Sequence, residues 1–393
     1  MEKLEKKVWL QSLPFGMVFR VGKMSRQSIF EASTRYFLSP ILPYLEDDSV
    51  TEIMINGPAE IYIERRGKLQ KTDARFPSED ALISAINNVA QWVGREIDAE
   101  HPVLDARLPD GSRVHAILPP TSRNGTCVTI RKFTKEAMTL EDLVRLNSLS
   151  EVAKEFLEIC VRLRKNILIS GGTGTGKTVL LGALSRAIPA EERIVVIEDT
   201  SELRFIQPHT IYLEARHGGR EGQGMTIRQL FSNSLRMRPD RVIVGEVRGG
   251  EALDMIQSML SGHSGSLSTI HASSPRDALI RLETLSLMSD VDIPVYVARA
   301  QVAAAIHLVI QIARFTEDGS RKITHISEVV GLDTDNRYQL RDLFVSRLVG
   351  RNDDGSLIAD LMWTEVQPTF ADEPAHQGLL GSVQLSKPLW THN

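Results

Sequence analysis

A loop of the form glycine, any four residues, Gly-Lys-Thr occupies residues 171–178. Within Gly171, Gly172, Thr173, Gly174, Thr175 and Gly176, the glycines let successive backbone N–H groups turn inward and cradle phosphate oxygens. Lys177 then reaches the β- and γ-phosphates, and Thr178 offers its hydroxyl to Mg²⁺. The flanks supply context. Residues 166–170 read as a short apolar strand and residues 179–188 as a helix. That order sets the phosphates at a helix N-terminus, where free N–H groups and the dipole favour anions. A Gly/Thr-rich surface turn is the plain alternative, and the Lys-Thr pair between correct flanks argues against it. The loop specifies a site for a nucleoside triphosphate, with ATP and Mg²⁺ the expected cofactors.

Hydrolysis needs carboxylates near the terminal phosphate. Two apolar stretches downstream end in acids: residues 193–199 in Glu198 and Asp199, with Glu202 just beyond, and residues 241–246 in Glu246. In an open α/β sheet the ligand lies beyond the carboxyl ends of the strands, so these acids converge on the loop. Their roles would be to orient and deprotonate water and to hold the metal, the latter with Thr178. A strand-terminal acid is often only a solvated turn residue, but two such ends after one phosphate loop favour chemistry. His263 and His271 flank the apolar stretch 267–270. Nothing around them has the spacing of a metal site, and as donors they would sense the γ-phosphate. Arg107, Arg113, Arg123 and Arg131 come earlier in the chain. Guanidinium groups suit bidentate phosphate contact, yet a solvated basic face explains them equally well at this level.

Positioning these groups takes two folded parts. Residues 151–347 alternate helix and strand patterns, as a RecA-like α/β core does. Ile227, Leu230, Phe231 and Leu235 share one helical face, and Ala252, Leu253, Met255, Ile256, Met259 and Leu260 mark another. Ile306, Leu308, Ile310 and Ile312 alternate with His307, Val309, Gln311 and Ala313, the pattern of a half-buried strand. Upstream, residues 36–137 read as a small α+β domain. Strands flank the Asn56-Gly57-Pro58 turn, a helix follows Ser78, and a hairpin turns at Pro109-Asp110-Gly111. Residues 1–35 read as a flexible or weakly helical arm, 138–150 as a linker, and 348–393 as a peripheral tail. The expected fold class is α/β: a RecA-like P-loop NTPase core with a smaller α+β N-terminal domain.

Composition narrows the function. Hydrophobic residues make up 42% and charged residues 24%, ordinary for a globular protein, while the net charge of -4 argues against a surface built to hold nucleic acid. Aromatic content of 6%, without an evident stacking platform, points the same way. Cys127 and Cys160 form no Cys-x-x-Cys pair, so neither a four-cysteine zinc element nor a disulfide framework is expected, and a reducing compartment is. The N-terminus is basic and then apolar, but Gln11, Ser12 and Pro14 interrupt it and no small-residue cleavage site follows. The apolar run 302–306 stops at His307, far short of a membrane span. A soluble protein is expected.

With these motifs in order, the chain resembles the type II/type IV secretion ATPase family of hexameric traffic motors. The resemblance rests on the phosphate loop, the acidic box Ile197-Glu-Asp-Thr-Ser-Glu-Leu203, the strand end Val244-Gly-Glu-Val-Arg248 and the box ending Thr269-Ile-His271. It runs from about residue 40 to 345. Glu52-Ile-Met-Ile-Asn-Gly57, Asp105-Ala-Arg-Leu-Pro-Asp-Gly-Ser-Arg-Val114 and Thr129-Ile-Arg-Lys132 look most like the CpaF-type motors of tight-adherence (Tad) pili. Conjugation and type IV secretion ATPases are also similar, whereas the absent tetracysteine element lowers the claim of type II enzymes.

The resemblance implies a homo-hexamer with ATP at subunit interfaces and an N-terminal domain that closes over the core. It makes Arg113 and Arg131 the arginines that reach the phosphates, Glu198 the water-activating acid and Glu246 the metal-side acid. Glu246 stands where an aspartate usually ends this strand in P-loop enzymes, which leaves the identity of the base open. The implied partner is an inner-membrane platform protein, the implied location the cytoplasmic side of that membrane, and the implied work pilus assembly or secretion. A conjugation or other nucleic-acid motor and a non-hydrolysing scaffold are the alternatives. No direct nucleic-acid contact is expected.

Overall fold

The computed structural model describes residues 26–65, 67–132, 138–216, 224–352, 355 and 357–391. The chain divides into two compact units, residues 1–133 and 134–393.

The first unit contains α1 (Arg26–Phe37), α2 (Leu42–Glu46), β1 (Val50–Asn56), β2 (Ile61–Arg65), β3 (Lys68–Lys71), α3 (Glu79–Trp92), β4 (Val103–Arg107), β5 (Arg113–Ile117) and β6 (Cys127–Arg131). Its strands form one antiparallel sheet in the order β3-β2-β1-β6-β5-β4. Alternation decides the inner face. Ile53, Ile55, Ile61, Ile63, Val114, Ala116, Val128 and Ile130 are buried together with Leu82, Ala85, Ile86 and Val89 of α3. Ser78 caps α3, its hydroxyl accepting the Ala81 N–H at 3.2 Å. The hairpin at Pro109-Asp110-Gly111 joins β4 to β5, with Gly111 at φ +91°. Over its last third the expected arm takes the helical one of its two readings. Residues 26–37 are helical, and Phe30 stacks on Trp92 of α3 with ring centroids 4.3 Å apart; residues 1–25 lie outside the described residues.

The second unit contains α4 (Leu140–Arg145), α5 (Glu151–Arg162), β7 (Ile167–Gly171), α6 (Lys177–Ser185), β8 (Ile194–Glu198), β9 (Thr210–Glu214), α7 (Ile227–Ser234), β10 (Arg241–Val244), α8 (Glu251–Leu260), β11 (Leu267–Ile270), α9 (Pro275–Ser286), α10 (Val295–Ala305), β12 (Leu308–Arg314), β13 (Arg321–Leu332), β14 (Tyr338–Arg351), β15 (Leu357–Trp363) and α11 (Glu373–His376). Nine strands run β15-β14-β13-β12-β7-β11-β10-β8-β9. The six from β12 to β9 are parallel, and β13 to β15 extend them as an antiparallel meander. Parallel strands covered on both faces read as continuous apolar runs. Ile167 and Ile169 pack into the layer of α5 and α6, while Leu168 packs into that of α8, α9 and α10. The same covering corrects the half-buried reading of residues 306–313: Leu308, Val309, Ile310, Gln311 and Ile312 are all buried, because β12 lies between β7 and β13.

Two further expectations change. The stretch 138–150 is no free linker: Thr139 closes a capping box with Asp142 at the start of α4, and Leu140, Leu143 and Leu149 enter the core. The tail beyond 348 is not peripheral either. β15 pairs with β14 at the edge of the sheet, and fully buried Trp390 stacks on Phe156 of α5 at 5.2 Å between centroids. Glu155 receives the backbone N–H groups of Gln384, Leu385 and Ser386, which holds the last segment on α5. Among the described residues no helix is long and apolar enough to cross a membrane.

Candidate active site

The phosphate loop joins β7 to α6, as the strand–loop–helix reading requires. Gly174 and Gly176 have φ of +69° and +96°, a region that L side chains rarely adopt. A Cβ on Gly171 would sit 2.5 Å from the Ile312 carbonyl oxygen of β12, so the neighbouring strand excludes every other residue there. Thr175 Oγ1 donates to the Gly172 carbonyl at 2.9 Å. Lys177 is buried, with its ammonium folded back on the carbonyls of Gly171 (3.1 Å) and Gly172 (2.9 Å) and 3.4 Å from His271 Nδ1. Thr178 is half-buried on the first turn of α6 and Thr173 is exposed on the loop.

Parallel strands bring the acids to the same sheet edge. Glu198 ends β8 with only 4% exposure, and its Oε1 accepts the N–H groups of Glu202 (2.9 Å) and Leu203 (3.0 Å). Burial pushes its pKa up to about 7, against the lowering pull of those two bonds. Next to it, a Cβ on Gly245 would come 2.9 Å from Glu198 Cγ; glycine after β10 makes room for the glutamate of β8. Glu246 Oε1 lies 2.5 Å from His271 Nε2, and its Oε2 accepts Arg248 Nε at 2.6 Å. Arg248 also donates to Asp199 Oδ2 at 3.3 Å. Lys177, His271, Glu246, Arg248 and Asp199 therefore form one continuous chain across the ends of four neighbouring strands. Burial, and then the positive charge of Lys177, lower the pKa of His271 while Glu246 opposes them.

His263 does not belong to this group. It precedes β11, whose Leu267 pairs with Ile167 while Ile270 pairs with Ser170 beside the loop. A four-residue strand, about 13 Å long, separates it from the phosphate end. Its backbone N–H is used locally, donating to Ser258 O at 3.1 Å. In the first unit, Arg113 is the register partner of both Arg107 and Arg131, and Arg131 pairs on its other side with Glu52. Three arginines thus share one face of three adjacent strands, the face turned away from α3. Arg113 reaches to 3.9 Å from Asp105. Arg123 is exposed at the opposite end of β6, so it does not join the row.

Residues 37–348 match the family described as Type II/IV secretion system protein. The chain belongs to that family. It is 34% identical over 319 residues to the type IV secretion system protein PtlH of Bordetella pertussis, covering 74% of this chain and 94% of PtlH. Type IV secretion system protein VirB11 of Brucella suis is 32% identical over 327 residues, covering 76% of this chain and 90% of VirB11. The X-ray structure of the ATPase DotB of Yersinia pseudotuberculosis has the same fold at 16% identity, with a TM-score of 0.53 over 85% of this chain and 87% of DotB. The protein is thus a type II/IV secretion ATPase, a nucleotide-binding enzyme with an N-terminal domain and a RecA-like core.

The loop fits a triphosphate: it lacks side chains where phosphate must approach and carries a lysine on exchangeable carbonyl partners. The donors near it also fit Mg²⁺, a hard cation that takes one or two protein oxygens and completes its shell with phosphate and water. Among the described residues no group of three or more His, Cys, Asp or Glu could hold a metal by itself. Three site residues escaped the sequence reading. Arg248 was visible two places after Glu246 but lacked a stated partner. Arg314 and Arg321, on β12 and β13, reach the loop from more than 130 residues away, and only the hairpin register could have announced them.

Proposed function

We propose that residues 171–178 bind ATP, that Glu198 prepares the attacking water, and that Glu246 and Thr178 form the protein side of a Mg²⁺ site. When bound, the metal neutralises charge on the β- and γ-phosphate oxygens. Lys177 exchanges the carbonyls of Gly171 and Gly172 for phosphate oxygens. His271, between Lys177 and Glu246, couples that exchange to the strand-end acids, and Arg248 ties Glu246 to Asp199. Glu202 fixes Glu198 through its backbone N–H. A glutamate poised near neutrality and screened from bulk water suits general-base work. The observation that supports this reading is the series of close approaches from Lys177 through His271, Glu246 and Arg248 to Asp199, with Glu198 on the neighbouring strand.

We further propose a homo-hexamer in which Arg113 and Arg131 contact the phosphates, working at the cytoplasmic face of the inner membrane on a platform protein. The motifs at residues 52–57, 105–114 and 129–132 favour a CpaF-type pilus motor. The identity to PtlH and VirB11 supports the second reading, a type IV secretion motor. Glu246→Gln is expected to bind nucleotide within about threefold of wild type while turnover falls at least a hundredfold; wild-type turnover in that variant would overturn the assignment. Light scattering with ATP analogue present tests the hexamer. Steep, salt-sensitive stimulation by DNA would favour a nucleic-acid motor over both readings.

A further inference from the structure

The glycines that allow the phosphate loop its shape also leave it the most conformational freedom to lose on ordering. Something outside the loop must therefore hold it. The β12–β13 hairpin does so. Arg321 Nε donates to the Gly174 carbonyl at 2.8 Å, and its Cδ lies 3.5 Å from where a Cβ on Gly176 would stand. Arg314, the register partner of Arg321, brings Nη1 to 3.6 Å from the corresponding point on Gly174. In a planar trans peptide the carbonyl and the next N–H point in opposite directions. Holding the Gly174 carbonyl towards Arg321 thus aims the Thr175 N–H away from Arg321.

The same residue is gripped from its other side. The Arg321 carbonyl accepts Ser148 Oγ, Ile323 N–H donates to Ser148 O at 3.1 Å, and Lys322 Nζ reaches Asn147 O at 2.9 Å. Asn147 has φ +51°, a sharp left-handed turn at the end of α4. The first three residues of β13 are therefore stitched to the turn that ends α4, and the first of them holds the phosphate loop.

We propose that Arg321 is a positioning residue for nucleotide binding, pre-setting the Thr175 N–H for phosphate and tying the loop to the 146–148 turn. The proposal rests on the phosphate-loop reading above. In the full-length protein, Arg321→Ala is expected to raise the Kd for a fluorescent ADP analogue and the KM for ATP about tenfold. kcat at saturating ATP stays within twofold. Arg321→Lys, which restores a donor on a flexible stem, recovers part of the affinity. Ser148→Ala raises KM about threefold, and the double variant falls short of the product of the two single effects. A purely structural role would instead lower the folded fraction, and with it kcat, at unchanged KM. That pattern, or unchanged Kd and KM, overturns the proposal, as does full additivity with Ser148→Ala for the tie. Should Arg321→Ala not fold, Arg321→Gln carries the same test with an amide donor. Lys177→Ala run in parallel separates the failures. If it still binds and turns over ATP, the loop reading is wrong; if it is inert while Arg321→Ala is silent, only this proposal fails.

Discussion

The parallel sheet of the second unit carries charged groups at both ends, and the two ends treat them differently. At the amino edge Arg241 has no exposure. Its Nε meets Glu192 Oε2 at 2.5 Å, Nη2 meets Oε1 at 3.2 Å, and Nη1 donates to the Gly265 carbonyl at 3.2 Å. Asn166 beside it donates to the Ala305 carbonyl at 2.7 Å, and its Oδ1 accepts the N–H groups of Gly265 (2.8 Å) and Ser266 (3.1 Å). Those partners are backbone or a buried carboxylate, with none of them belonging to a loop that would receive a ligand. At the carboxyl edge the contacts join half-exposed side chains, and Lys177 rests on carbonyls of the loop that would receive its ligand. A buried network in which every group is satisfied specifies structure. A network whose bonds can be traded against an incoming phosphate can do work.

The largest expected effects set the two edges against each other. Lys177→Ala should bring turnover to background while the thermal midpoint moves by only a few degrees. Arg241→Ala should do the reverse. Among the described residues it leaves Glu192, 8% exposed, with Arg164 at 3.2 Å as its one remaining ion-pair partner. A stability loss of about 3–5 kcal/mol follows, with turnover per folded molecule preserved. Arg241→Met combined with Glu192→Gln should regain much of that loss, because no uncompensated charge remains. Urea unfolding and active-site-normalised rates check all three. If Arg241→Ala slowed turnover per folded molecule as severely as Lys177→Ala, the contrast between the edges would collapse.

Most of the carboxyl edge was legible from sequence because its groups follow strands at short range: Glu198, Glu246 and His271 each end or follow an apolar run. The loop needed only the spacing of Gly171, Gly176, Lys177 and Thr178. What stayed hidden depends on register and side. His263 and His271 lie on either side of β11 in sequence, and only a parallel sheet with the loop at one end tells them apart. The segment after Leu348 read as peripheral because its sequence turns polar, yet Leu389 and Trp390 pack into the core with Phe156, which no local pattern reveals. The arginine row of the first unit needed the pairings of β4, β5 and β6 to separate Arg107, Arg113 and Arg131 from Arg123.

The pH dependence adds a second comparison, since burial shifts a carboxyl at one edge and an imidazole at the other in opposite senses, each away from its charged form. Glu198 is raised to about 7. The folded state then holds a proton that the unfolded state releases, so stability falls as pH rises from about 4.5 to 7 and is level above. His307, just before β12, accepts the Asn166 N–H on Nδ1 at 3.0 Å, and burial lowers its pKa to about 4. Its contribution is complete above about 6.5 and is lost as pH falls towards 4. Each amounts to about 3 kcal/mol across its window, and in wild type they oppose one another between pH 5 and 6.5. Glu198→Gln should remove the falling limb, so that the variant gains stability steeply from pH 5 to 6.5 where wild type changes little. Denaturant titrations at those two pH values measure the difference. In wild type, kcat/KM for ATP should also rise through pH 7 as Glu198 ionises; a profile flat from pH 6 to 8 would remove Glu198 from the role of base.

The smallest effects concern the two histidines that sequence could not rank. His271 sits 2.5 Å from Glu246 and 3.4 Å from Lys177. His271→Ala should therefore lower kcat about tenfold to a hundredfold, with KM moving less, since the loop that binds ATP remains. His271→Asn, which keeps a donor for Glu246, should recover part of that loss. His263→Ala, at the other end of the same strand, should leave kcat and KM within twofold and stability within about 1 kcal/mol. Steady-state rates for the three variants at one pH decide the matter. A His263→Ala enzyme as slow as His271→Ala would mean that the amino edge takes part in turnover, and the division of labour along β11 would have to be redrawn.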